Sequence, residues 1–196
     1  MNKLVTLLFG LFAVQIAVSA ELDPHTLIQQ TADHVLAEIK DNSGRYKDDP
    51  ELLYELVDKV VLPHFNFTQM TKLALGKYAR KVNADQKPLI VNEFRILLVR
   101  TYGKALLEYN DQTIRYLPLE GSTDSGKVVV KTEIGQSGGS PIPLNYRLRL
   151  GKQGWKVYDI IVDGISLVTN YRSSFARQIK KNGIDGLIKT LRDRNQ

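Results

Sequence analysis

Apolar positions recur every three or four residues through the first half of the chain; beyond residue 110 they alternate or run together. Asp23-Pro24 supplies an N-cap and a first-turn proline. Leu27, Ile28, Thr31, Val35, Leu36 and Ile39 follow at helical spacing until Asn42-Ser43-Gly44. Asp49-Pro50 opens a second helix with Leu52, Leu53, Leu56, Val57 and Val60 inward, and Pro63 ends it. A third helix spans about Asn66 to Leu75, with Gly76 as its C′ residue. Asn83 and Gln86 read as a capping box before the longest helix, whose stripe is Leu89, Ile90, Phe94, Leu97, Leu98, Tyr102, Ala105, Leu106 and Tyr109.

After Asn110, short segments rich in Val, Ile, Tyr and Leu are separated by turn clusters, the pattern of an antiparallel meander. The expected strands are Thr113–Leu119, Lys127–Ile134, Leu144–Leu150 and Trp155–Val162, with turns at Gly121–Gly126, Gly135–Pro143 and Gly151–Gly154. Ser166 then caps a helix to about Asn182, Gly183 ends it, and Ile184–Arg194 forms an amphipathic tail. Helices, then sheet, then helices make the chain α+β. The helical part covers about 23–110, the sheet about 111–163 and the C-terminal helices about 165–195, in one domain over 21–196.

The run from Trp155 to Phe175 is apolar on nearly every face, so it is covered on both sides or lines something apolar. A turn at Lys152-Gln153 sets Leu150 opposite Trp155, Leu148 opposite Val157 and Tyr146 opposite Asp159. One face then carries Tyr146, Leu148, Leu150, Trp155, Val157 and Ile161; the other carries Asn145, Arg147, Arg149, Lys156, Tyr158, Ile160 and Val162. Asp159 and Asp163 fall on the apolar face, where each needs a partner.

The N-terminus changes this picture. Lys3, an apolar stretch from Leu4 to Val18 and small residues before Glu21 have the form of a secretory signal peptide over residues 1–20, cleaved between Ala20 and Glu21. The chain has no cysteine, so it relies on its core rather than on disulfides. A net charge of +6 suits anionic lipid surfaces, nucleic acid or acidic proteins, but an exported chain without RNP-like or zinc-finger motifs argues against nucleic acid.

Catalytic patterns are sparse. Gly135-Gln136-Ser137-Gly138-Gly139 matches G-x-S-x-G, but it lies between two strands and no histidine follows His64, so it reads as a hairpin loop. His25, His34 and His64 lack metal-ligand spacing, so no metal is expected. His25 and His34 sit on the exposed side of a helix. Asp159 and Asp163 have two readings: one or the other as the base of a small isomerase- or hydrolase-like site near Tyr146 and Tyr158, or, for Asp163-Gly164, the turn that ends a strand and feeds a helix.

WKVYDIIVDGISLVTNYRSSF (Trp155 to Phe175), LPHFNFTQMTKLALGKYARK (Leu62 to Lys81) and EFRILLVRTYGKAL (Glu93 to Leu107) resemble, in order and spacing, the MlaC family of periplasmic phospholipid carriers, also called toluene-tolerance auxiliary proteins. One departure is Ala79 beside Tyr78, where family members usually carry tryptophan. The resemblance implies a curved antiparallel sheet of about four strands in a cone, with helices around it enclosing an apolar cavity. It further implies a non-catalytic monomer, with no cofactor and phospholipid as its cargo. That carrier would shuttle lipid between an outer-membrane lipoprotein–porin complex and an inner-membrane ABC transporter with MCE-domain subunits, maintaining outer-membrane lipid asymmetry. The cavity wall is then expected from Leu98, Tyr102 and Leu106 of the long helix, Tyr146, Leu148, Leu150, Val157 and Ile161 of the sheet, and Val168, Tyr171 and Phe175 of the last helix. Arg147, Arg149, Lys156 and Arg172 have two readings, headgroup or partner contacts and solvated surface charge.

Overall fold

The computed structural model describes residues 22–108, 112–119, 122–135 and 138–196. The expected signal segment, the end of the long helix at Tyr109, and Gln136-Ser137 of the G-x-S-x-G match lie outside the described residues.

Capping chemistry sets the helix starts. Asp23 accepts from the backbone N–H groups of His25 (3.0 Å) and Thr26 (3.1 Å) at the head of α1, Pro24–Asp41. Asp49 accepts from Glu51 N at the start of α3, Pro50–Val60, and Asn66 from Gln69 N at the start of α4, Phe67–Leu75. Asn83 and Gln86 exchange reciprocal side-chain-to-backbone bonds of 2.8 and 3.2 Å before α5, Gln86–Leu107. Ser166 Oγ accepts from Thr169 N at the start of α6, Leu167–Arg194, which Gly183 interrupts with φ +71°. The sequence pattern misses α2, Ser43–Asp48.

Gly76 ends α4 at φ +54°, a conformation other L-residues rarely adopt. A Cβ there would meet Arg172 Cδ at 3.2 Å. That arginine donates from Nε to the Leu73 carbonyl at 2.9 Å and so ties α6 to the last turn of α4. Tyr78 is buried just beyond, and Ala79, the departure from the usual tryptophan, packs against the same core.

The sheet is antiparallel in simple order: β1 Ile114–Tyr116, β2 Lys127–Ile134, β3 Ile142–Gly151, β4 Gly154–Val162 and β5 Ile165–Ser166. It has five strands, one more than expected, because Asp163 and Gly164 both take positive φ and fold the chain straight back as a hairpin. Leu150 faces Trp155 and Leu148 faces Val157, as the turn dictates. Beyond that point the expected register is corrected. Tyr158 bulges out of the ladder, so Arg147 faces Asp159 and Tyr146 faces Ile160. One extra residue reverses the faces of everything that follows. Ile160 and Val162 join Leu144, Tyr146 and Leu148 on one side, while Asp159 and Ile161 lie with Arg147 and Asn145 on the other.

Three buried clusters organise the interior. Leu27 and Ile28 of α1 pack on Val128, Val130, Leu148, Trp155 and Val157 of the sheet. Helices α4, α5 and α6 close around Met70, Phe94, Leu98, Val168, Phe175 and Leu187. Val35, Ile39, Tyr46 and Leu53 join α1, α2 and α3. Each residue buried this way contributes about 1.5–3 kcal/mol relative to exposure. Buried Glu93 holds the C-terminus onto α5, accepting from Asn195 Nδ2 (2.8 Å) and Arg192 Nε (3.2 Å).

Candidate functional site: an apolar cavity between sheet and helices

A cavity of about 620 Å³ opens where the three clusters meet. Each cluster lends it residues: Ile28 from the first, Met70, Leu98 and Leu167 from the second, Val35 from the third. The cavity is thus a gap left between separately packed cores, and its volume is that of a site for a substantial organic ligand. The sheet closes one side with Ile114, Ile134, Ile142, Leu144, Tyr146, Ile160 and Val162. The bulge at Tyr158 makes this wall possible, since without it Ile160 and Val162 face away.

The lining's polar groups are few. Tyr146 is held neutral by burial, which pushes its phenol up to about 12, with the neighbouring Thr132 hydroxyl acting in the opposite direction. Thr132 itself is buried and donates to the Leu144 carbonyl at 2.6 Å. Tyr102 is likewise pushed up to about 12, chiefly by loss of water, then by the charge of a neighbouring Tyr171 phenolate and by a hydrogen bond with that residue. Both phenols stay uncharged at physiological pH. Glu108 is the lone carboxylate among the described lining residues, and no lysine or arginine accompanies it. A site of this composition dissolves hydrocarbon, and its titratable groups among the described residues are Glu108, His64 and the two phenols.

His64, in the turn before α4, also lines the cavity. Loss of water lowers its pKa below the usual 6.5, and the ammonium of Lys156, held nearby by its bond to the Pro63 carbonyl, lowers it further. The folded chain therefore favours neutral imidazole, while the unfolded chain takes up a proton as pH falls through 6.5. This stabilisation is complete above 6.5 and is lost as pH drops towards the depressed folded-state value. In urea unfolding, the wild type is expected to lose more stability than His64→Gln between about pH 7.5 and about pH 5.5. Equal losses in the two proteins would contradict this role.

The expected cavity residues divide. Leu98, Tyr102, Leu106 and Tyr146 border the cavity. Leu148 and Val157 do not; they are fully buried in the dry end of the sheet under α1. Leu150 is exposed near the hairpin turn, and the bulge carries Ile161 to the opposite face. Val168 and Phe175 are core between α4, α5 and α6. Tyr171 stands behind the wall, edge-on to Phe94 with ring centroids 5.0 Å apart. The pattern overlooked Ile160 and Val162, because the unbulged register places them on the wrong face. It also overlooked Val35, Val57, Phe67 and Met70, whose helical spacing is that of ordinary core.

Neither aspartate borders the cavity. Asp159, 1% exposed, accepts from Ser166 Oγ (2.7 Å), Val168 N (3.2 Å) and Arg147 (3.3 Å), tying β3 and β4 to the head of α6. Asp163 is an exposed turn residue with φ +47°. Of the basic candidates, Arg147, Lys156 and Arg172 are engaged by Asp159, Pro63 and Leu73, and Arg149 is exposed on the outer face. His25 packs edge-on to Tyr116 and His34 is exposed. Among the described residues no group of three or more His, Asp or Glu is placed to hold a metal ion, and no helix is long and apolar enough to cross a membrane.

Known proteins place this architecture. A solved structure from Ralstonia solanacearum, of a phospholipid-binding protein in complex with a phospholipid, superposes with a TM-score of 0.82 at 33% identity, covering 89% of this chain and 97% of that one. The intermembrane phospholipid transport system binding protein MlaC of Haemophilus influenzae is 30% identical over 188 residues, 94% of this chain and 88% of its own. The toluene tolerance protein ttg2D of Pseudomonas putida is 31% identical over 186 residues, 94% and 86% of the two chains. The model of the MlaC protein family matches residues 29–193, which takes in the whole sheet, helices α2 to α5 and most of α1 and α6. With that match over most of the chain and two relatives at 30% and 31% identity, this chain belongs to the MlaC family.

Proposed function

We propose that this protein carries phospholipid, holding the acyl chains in the apolar cavity while the headgroup stays in water. The observation that carries the reading is the cavity itself, about 620 Å³ and walled almost wholly by aliphatic and aromatic side chains. A relative of the same fold holding a phospholipid supports it. The energetics fit carriage without chemistry. Acyl methylenes cost about 0.8 kcal/mol each in water, so two chains of roughly sixteen carbons cost on the order of 25 kcal/mol. Transfer from bilayer to cavity is apolar to apolar, and what the protein must lower is a barrier. Asp159 and Asp163, both away from the cavity, offer an isomerase- or hydrolase-like reading no catalytic group there.

In this proposal the chain is cleaved after Ala20 and works in the periplasm as a monomeric unit of residues 21–196. It moves lipid between an outer-membrane lipoprotein–porin complex and an inner-membrane ABC transporter carrying MCE-domain subunits, keeping the outer leaflet poor in phospholipid. Deleting the gene is expected to raise surface-exposed phospholipid, read by amine labelling of intact cells, and a plasmid copy should restore it. Unchanged labelling in the deletion strain would sink the shuttle role.

A further inference from the structure

Directly paired residues of antiparallel strands share a face, so the register sets Thr132, Leu144, Val162 and Ile165 in one row across β2 to β5 on the cavity side. Exposure climbs along that row. Thr132 is buried, Leu144 is half-buried, Val162 is 39% exposed and Ile165 is 64% exposed. Leu144 and Val162 border the cavity, whereas Ile165 lies one strand beyond it. The tight turn at Asp163-Gly164, pinned by a bond from Asp163 N to the Pro143 carbonyl (2.9 Å), presents Ile165 in a fixed place. Isolated exposed hydrophobic residues are commonplace on protein surfaces. Ile165 differs because it prolongs an apolar wall that starts inside a cavity.

We propose that Ile165 is the lip of the cavity, touching an acyl chain only while that chain passes in or out. The inference rests on the phospholipid-carrier reading above. An acyl chain sliding out exchanges cavity wall for water one methylene at a time. An apolar surface just outside the mouth keeps the emerging methylenes covered and so lowers the barrier in both directions. Since Ile165 does not border the occupied volume, it sets the rate of passage and leaves the equilibrium affinity alone.

Stopped-flow uptake of a short-chain fluorescent phosphatidylglycerol, kept below its critical micelle concentration, by delipidated protein reads this step without any bilayer. For Ile165→Asp, the association and dissociation rates should both fall about tenfold, the effect of withdrawing roughly two methylenes of contact from the barrier, with Kd within about twofold of wild type. Ile165→Thr keeps the β-branch and strand pairing, and should shift both rates the same way by less; it preserves the test if the aspartate variant folds poorly. Leu89→Asp removes an exposed apolar residue near the N-terminal end of α5, which does not border the cavity, and should change neither rate. Unchanged rates in both Ile165 variants, or a weakened Kd with an unchanged association rate, would overturn the lip. Failure of the wild type itself to take up the lipid would overturn the carrier reading instead.

Discussion

Tryptophan in place of Leu144 is expected to abolish phospholipid loading while leaving stability nearly unchanged, and the same change at Leu148 is expected to destabilise the fold strongly. The two residues share one strand and one face, four positions apart. Leu144 is half-buried and borders the cavity, so an indole there grows into free volume. Stability should stay within about 1 kcal/mol of wild type, while the space the acyl chains need is filled. Leu148 has no exposed surface and packs among Leu27, Val130, Trp155 and Val157, with nowhere for the extra ring to go. Overpacking should cost about 3 kcal/mol or more. Urea midpoints and lipid content of the two variants separate the effects. A Leu144→Trp protein that loads lipid normally would show that the cavity does not hold the chains, and a stable Leu148→Trp protein would show that the dry end of the sheet is not dry.

Replacing Asp159 with alanine is expected to destabilise the protein by about 2–3 kcal/mol. The carboxylate is buried and satisfies three donors at once: a hydroxyl, a backbone N–H at the head of α6 and the Arg147 guanidinium. Its removal leaves the Val168 N–H buried without a partner, frees Arg147 into solvent and loosens the junction between β4, β5 and α6. Asp159→Asn keeps the shape and part of the bonding, so it should fall between alanine and wild type. Denaturant unfolding measures the order. An Asp159→Ala protein as stable as wild type would contradict the latch, and loss of a turnover activity in a fully stable Asp159→Asn protein would revive the enzyme reading.

Much of this architecture is legible in the residues because capping chemistry is local. Asp23, Asp49, Asn66, Asn83 and Ser166 each announce a helix, and each is seen bonding the backbone it precedes. The short helix α2 is hidden by the same logic. Asn42-Ser43-Gly44 looks like a stop, yet Asn42 donates back to the Glu38 carbonyl and the chain re-enters a helix that buries Tyr46. The bulge at Tyr158 is the costlier omission. Strict alternation puts two aspartates on an apolar face, and that discomfort is the visible trace of a register shift. Once Tyr158 is looped out, Asp159 moves beside Arg147 and Ile160 and Val162 turn inward. Cavity and core cannot be told apart by composition. Leu144 and Leu148 are identical residues on one face of one strand, and only tertiary packing, α1 seated on Leu148, decides which of them faces a void.

Native mass spectrometry of the protein purified without detergent, followed by lipid extraction, bears most directly on the central claim that the cavity holds phospholipid. The account predicts a bound mass at close to one phospholipid per chain, absent from the Leu144→Trp variant and retained by Ile165→Asp. A wild-type protein that is repeatedly lipid-free, and that accepts no phospholipid when offered it, would contradict the account.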